Sequence, residues 1–125
     1  MAKKILIIED EEILLDLLKD KLEDFGYEIY SAKDGEEGLK AIRDIVPDLI
    51  LLDIIMPKMS GFEVMEAMQK DPSIKDIPVI IISNSGQPVE LDKAKQLGAK
   101  DWLIKTEFDP AEVIQKVKAI LGEPE

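Results

Sequence analysis

The chain has 125 residues, 46% of them hydrophobic and 34% charged, which fits a single soluble globular domain with a core of its own. Sixteen basic residues against 27 acidic ones leave a formal net charge of −11, which repels phosphate backbones and anionic lipid, so no direct nucleic-acid or membrane binding is expected. The absence of Cys and His excludes disulfides, thiolate or imidazole metal sites, cysteine nucleophiles and histidine bases; any metal must be held by oxygen.

The first apolar run, KILIIE from Lys4 to Glu9, breaks into acid after four apolar residues. That is too short for a secretory leader, and no later run reaches membrane-spanning length, so the cytoplasm is the expected compartment. A helix is predicted from about Glu11 to Phe25, stopped by Gly26. Its apolar residues (Ile13, Leu14, Leu15, Leu17, Leu18, Leu22 and Phe25) cover about 200° of the wheel, wider than a one-sided core face needs. Leu14, Leu18, Leu22 and Phe25 share one narrow arc and read as core. Ile13 and Leu17 lie off it, either part-covered by a neighbouring helix or free to meet a partner.

A second strand spans Tyr27–Ala32. A second helix follows, opened by Asp34 with Glu37 three residues on in the manner of a capping box, and ended by Pro47. The third strand, Asp48–Asp53, leads to a helix that follows Ser60-Gly61 and stops before Pro72. The fourth, Pro78–Ser83, leads to a helix from Pro88 to Gly98. The fifth, Asp101–Lys105, leads to a helix with Asp109 as N-cap, Pro110 at the first helical position, Glu112 three residues after the cap, and Gly122 at its close. Three of the strands are continuous Ile/Leu/Val runs, the pattern of strands buried on both faces.

Five βα units in strict alternation imply an α/β fold, a doubly wound five-stranded parallel sheet of flavodoxin-like (βα)5 type, in one domain over residues 1–125. The common strand order for such a sheet, 2-1-3-4-5, opens a crevice between strands 1 and 3 at their carboxyl ends, where ligands bind. Strand 1 delivers Glu9-Asp10-Glu11 to that edge, strand 3 Asp53, strand 4 Ser83 and strand 5 Lys105. Two carboxylates 4 Å apart repel by about 4 kcal/mol at an effective dielectric near 20. Lys105 offsets part of this, and a divalent cation offsets more. Mg²⁺ takes one or two carboxylates together with phosphate and water, so the pattern points to a site for Mg²⁺ (Mn²⁺ as its substitute) and a phosphoryl group, with Asp53 as nucleophile.

Over nearly its whole length the chain resembles the response-regulator receiver domain of two-component signalling, in its chemotaxis-regulator-like stand-alone form. The residues carrying the likeness are Glu9-Asp10, Asp53 in LLDIIMPKMSG, Ser83 after VIII, Gly98-Ala99, and Lys105 in DWLIK. The resemblance implies that Asp53 accepts a phosphoryl group from a sensor histidine kinase or phosphotransfer protein. It also implies that Asp10, Asp53 and the backbone carbonyl of Ile55 ligate Mg²⁺, with Glu9 acting through water. Lys105 and Ser83 would hold phosphoryl oxygens, and Trp102 would be the switch aromatic. Output to a partner that the sequence does not name would pass through helix 4, strand 5 and helix 5, reading Val89, Leu91, Ala94, Lys95, Trp102 and the outer face of the last helix. Kinase docking falls to Ile13, Leu14, Leu17 and Lys21 on helix 1. A monomer or a weak phosphorylation-dependent dimer is expected, assisting its own phosphotransfer and dephosphorylation without being an enzyme in the ordinary sense. The chain stops three residues after Gly122, so no effector domain is expected within it.

Three departures from the family pattern carry expectations. The usual Lys-Pro with its cis bond is Lys105-Thr106 here, and a cis bond before Thr costs about 2.5–4 kcal/mol. Trp102 replaces the usual Tyr or Phe, and its bulk restricts inward rotation. Asn84 replaces a small residue, and its bulk hinders the attacking water and lengthens the phosphorylated lifetime. Rival readings fit less well. A flavin-phosphate loop after strand 1 is incompatible with EDEE, and a phosphatase of the haloacid-dehalogenase type needs Asp-x-Asp on strand 1. The remaining alternative is a phosphorylation-independent interaction module on the same fold.

Overall fold

A computed structural model describes residues 2–84, 86–107 and 109–123. Strands and helices alternate: β1 (Lys4–Ile8), α1 (Glu12–Phe25), β2 (Glu28–Ala32), α2 (Gly35–Ile45), β3 (Leu49–Asp53), α3 (Gly61–Gln69), β4 (Val79–Ser83), α4 (Pro88–Gln96), β5 (Asp101–Ile104) and α5 (Pro110–Leu121). The strands form one sheet in the order β2-β1-β3-β4-β5, all neighbours parallel. Every residue of the two central strands β3 and β4 is buried, as are Ile5 to Ile8 of β1, because helices cover both faces. Alternate side chains divide the core. Leu6, Ile8, Ile50, Leu52 and Ile81 pack toward α2, α3 and α4. Ile5, Ile7, Leu49, Leu51, Ile80 and Ile82 pack toward α1 and α5.

The helix ends follow local chemistry. Gly26 ends α1 in a left-handed conformation (φ 115°), which a side chain would resist. Asp34 accepts from the Glu37 N–H at 2.8 Å, and Asp109 accepts from the Glu112 N–H at 2.9 Å. The complete reciprocal capping box stands at α3, where Ser60 Oγ accepts from the Glu63 N–H and Glu63 accepts from the Ser60 N–H.

Two packing expectations are corrected. The core stripe of α1 is Leu15, Leu18 and Leu22, with Leu14 half-buried beside it. Phe25 is exposed, its ring stacked on Tyr27 at 5.7 Å with the Lys118 ammonium 5.6 Å from its centroid. At 100° per residue Leu18, Leu22 and Leu15 lie about 40°, 80° and 100° round the wheel from Leu14 and Phe25 about 20°, so the core faces the Leu15 side of α1 and leaves Leu14 and Phe25 at its edge. Ala94, expected on an exposed surface, is buried against the core under α4.

Candidate functional site

The site lies at the carboxyl edge of the sheet, where β1 and β3 are neighbours and their following helices leave on opposite faces. Asp53 is the last residue of β3 and 1% exposed; Glu9, one residue past β1, is fully buried. The Glu9 N–H donates to the Ala32 carbonyl at 3.0 Å, which carries the ladder one residue past β1 and fixes where its side chain emerges. Asp10, next along, is exposed. One carboxylate oxygen from each of Glu9, Asp10 and Asp53 lies within 4.8 Å of the others.

Lys105 crosses to them from the end of β5. Its backbone N–H donates to the Ser83 carbonyl at 2.9 Å, which sets the side chain beside β4. Its ammonium lies 2.9 Å from Asp53 Oδ2 and 3.3 Å from both Glu9 Oε2 and Glu11 Oε1. Among the described residues no peptide bond is cis, so Lys105 reaches the acids through ordinary trans linkages despite lacking the following proline.

Burial pushes the Glu9 carboxyl up to about 7, with the nearby Asp53 charge adding to the rise, against the lowering effects of the Glu11 N–H and Lys105. Burial also raises Asp53, while the Lys105 hydrogen bond and charge pull it back. Burial alone would lower Lys105, but its hydrogen bond to Asp53 and the charges of Asp53 and Glu9 hold it above the usual lysine range. The acids are thus under-neutralised: one ammonium faces several carboxyls. Glu9 Oε1 is buried and has no hydrogen-bond partner among the described residues. An orphaned buried oxygen in an all-carboxylate cluster fits a hard divalent cation, or a water bound to one.

Close approach of α3 completes the pocket. A Cβ on Gly61 would sit 2.3 Å from the Asp53 carbonyl oxygen, so only glycine lets this helix start so near the end of β3. The Ile55 N–H donates to Asp53 Oδ1 at 3.3 Å, and the Ile55 side chain is exposed.

A sequence model described as the response regulator receiver domain matches residues 5–118. The chain belongs to that family. As a receiver domain it is similar to the alkaline phosphatase synthesis transcriptional regulatory protein PhoP of Bacillus subtilis, 38% identical over 100% of this chain and 51% of that protein. It is 37% identical to the DNA-binding dual master transcriptional regulator RpaA of Synechocystis, over 94% of this chain and 48% of that one. The chain therefore spans about half the length of the curated relatives it matches. Among solved structures, the Vibrio cholerae chemotaxis protein CheY4 superposes with a TM-score of 0.89 at 28% identity, covering 96% of this chain and 99% of that one. The phosphorylated cyanobacterial phytochrome response regulator RcpA superposes with a TM-score of 0.81 at 29% identity, covering 96% and 91%. No described helix is long and apolar enough to cross a membrane.

Within this receiver, Glu9, Asp10, Asp53 and Lys105 converge as the strand ends predict. Ser83 is buried at the end of β4, but its hydroxyl is engaged by Glu90 of α4 at 2.6 Å. Asn84 is exposed just beyond it. Trp102 lies outward, 39% exposed, with the Lys116 ammonium 5.8 Å from its ring centroid and also bonded to its carbonyl. On α1, Ile13 is 88% and Leu17 43% exposed, Lys21 is exposed, and Leu14 is half-buried against the core. Glu11, which the sequence brings to the same edge without a role of its own, pairs with Lys105. Glu90 escapes sequence reasoning: it lies seven residues past Ser83 and carries no local signature.

Proposed function

We infer that this chain, as one domain over residues 1–125, is the phosphoacceptor switch of a two-component system, taking a phosphoryl group onto Asp53 from the phosphohistidine of a sensor kinase or phosphotransfer protein. The observation carrying this reading is the Lys105 ammonium 2.9 Å from a buried Asp53 carboxylate, in a cluster with Glu9 and Asp10 that one lysine leaves under-neutralised. In the transfer, an Asp53 carboxylate oxygen forms the new bond to phosphorus as the phosphorus–nitrogen bond breaks, and the electron pair leaves with the imidazole. Lys105 loses its carboxylate partner when Asp53 becomes an acyl phosphate and keeps an anion beside it by pairing with a phosphoryl oxygen. The Ile55 N–H holds the second Asp53 oxygen and fixes the carboxylate plane. Ser83 serves another phosphoryl oxygen.

Asp10, Asp53 and the Ile55 carbonyl would hold Mg²⁺, with Glu9 through water. When bound, the ion supplies the positive charge that lets carboxylates and a phosphoryl group share one pocket. Attack of water on the phosphoryl group resets the domain, with Asn84 restricting its approach and so lengthening the phosphorylated lifetime. Docking of the donor falls to Ile13, Leu17 and Lys21, with Leu14 contributing its exposed edge. Output passes through Val89, Leu91, Lys95, Trp102 and the outer face of α5, where Trp102's bulk restricts inward rotation. With a net charge of −11 this domain receives the signal rather than contacting DNA itself, and its place is the cytoplasm, where such kinases present their phosphohistidine.

The test is incubation with acetyl phosphate and Mg²⁺, followed by intact-mass measurement. The wild type should gain one phosphoryl group and Asp53→Ala none. No gain in the wild type would leave the fold serving as a phosphorylation-independent interaction module.

A further inference from the structure

Ser83 closes β4 one residue beyond Ile82, the register partner of Asp53, and its side chain emerges on the sheet face that carries α4. It is fully buried, and its hydroxyl is used in both senses. It donates to Glu90 Oε1 at 2.6 Å and accepts from the Gly86 N–H at 3.0 Å. Glu90 stands in the first turn of α4, half-buried. At that helix start, the N-cap residue Gln87 makes no side-chain capping bond among the described residues. The Ser83–Glu90 bond therefore ties the first turn of α4 to the end of β4.

A serine hydroxyl carries one proton. It cannot be donated to the Glu90 carboxylate and to a phosphoryl oxygen on Asp53 at the same time. Nor can the two anions share a bond directly, since each only accepts, and like charges brought together across the end of β4 repel. We propose that Glu90 is a latch: it holds the donor proton of Ser83 in the unphosphorylated arrangement and must release it for the phosphoryl group to be fully bound. The proposal rests on the phosphoacceptor reading of Asp53 and adds a residue and a direction to it. Release of Ser83 frees the first turn of α4, so Glu90 converts a charge arriving at β3 into a change in how α4 is anchored. It acts through Ser83 and is a positioning residue. Because the competent arrangement is reached only by giving up a charge-assisted hydrogen bond, the latch lowers apparent affinity for the phosphoryl group in proportion to the fraction of molecules held closed.

Beryllofluoride formed in excess Mg²⁺, a non-covalent stand-in for a phosphoryl group on an aspartate, isolates this step from donor chemistry. Its binding can be read from backbone amide shifts, the Gly86 N–H among them. Glu90→Ala should bind beryllofluoride more tightly than wild type, on the order of tenfold. Glu90→Gln keeps an acceptor without the charge and should fall between the two, and it serves if Glu90→Ala does not fold. In a Ser83→Ala background the Glu90 substitution should be silent, which a general packing role would not produce. Equal affinity in wild type and both Glu90 variants overturns the latch while leaving the phosphoacceptor reading intact. So does a gain that persists without Ser83. A wild-type chain that binds no beryllofluoride overturns both.

Discussion

Raising the pH of the metal-free protein from about 5 to about 8 must ionise a fully buried carboxyl group, one oxygen of which has no hydrogen-bond partner among the described residues. That group is Glu9, pushed by burial from an ordinary 4.5 up to about 7. Between those values the native state keeps a proton that the unfolded state has released. Stability therefore falls as pH rises through this window; it is fully present below the unfolded value and lost by about 7. The interval corresponds to roughly 3 kcal/mol as a ceiling, because relaxation and water entry soften such costs. Asp53, also raised by burial, adds loss in the same direction, whereas Lys105 stays charged throughout. Urea unfolding in chelator at several pH values, on wild type and Glu9→Gln, separates the Glu9 contribution from the rest. The wild type should lose up to about 3 kcal/mol more than Glu9→Gln across the window. Saturating Mg²⁺ should remove most of that excess by stabilising the ionised form. Parallel pH profiles for the two proteins, with no Mg²⁺ effect on the difference, would refute this account of Glu9.

Three further outcomes are expected. Lys105→Met strips Asp53 and Glu9 of their ammonium and should cost about 3–5 kcal/mol near neutral pH, less in acid where both carboxyls are protonated, as read by chemical unfolding. Gly61→Ala forces a Cβ against the Asp53 carbonyl and should destabilise by about 1–3 kcal/mol, with the Asp53 and Ile54 amide resonances displaced. Val46, a β-branched residue held at φ 49° where α2 ends, should be improved by Val46→Asn, raising stability by roughly 1 kcal/mol in thermal or urea unfolding.

The order and ends of the elements are legible in the sequence because each is set locally. Ile/Leu/Val runs flanked by turns make doubly covered strands, and Gly26, Asp34, Asp109 and Pro110 mark helix ends through their own backbone chemistry. Asp53 and Glu9 are legible because a carboxylate at the end of a buried run is anomalous unless something answers it, and the parallel order brings the two together. What escapes is decided by tertiary detail. The rotation of α1, which buries Leu15 and turns Phe25 outward, is a matter of tens of degrees that a wheel of leucines does not resolve. The burial of Ala94 depends on how closely α4 approaches the sheet. Glu90's hold on Ser83 depends on the course of the β4–α4 loop, which brings together residues seven apart by a path that neither strand nor helix periodicity describes.

The proposed switch requires carboxylates from two neighbouring strands to hold a single divalent ion next to Asp53. Crystals grown in Mn²⁺, with data collected at the manganese absorption edge, test this most directly. One anomalous peak should appear bounded by Asp10, Asp53 and the Ile55 carbonyl, and it should vanish in Asp10→Asn. A crystal at saturating Mn²⁺ with no peak there, or with the ion bound only at other surface acids, would contradict it.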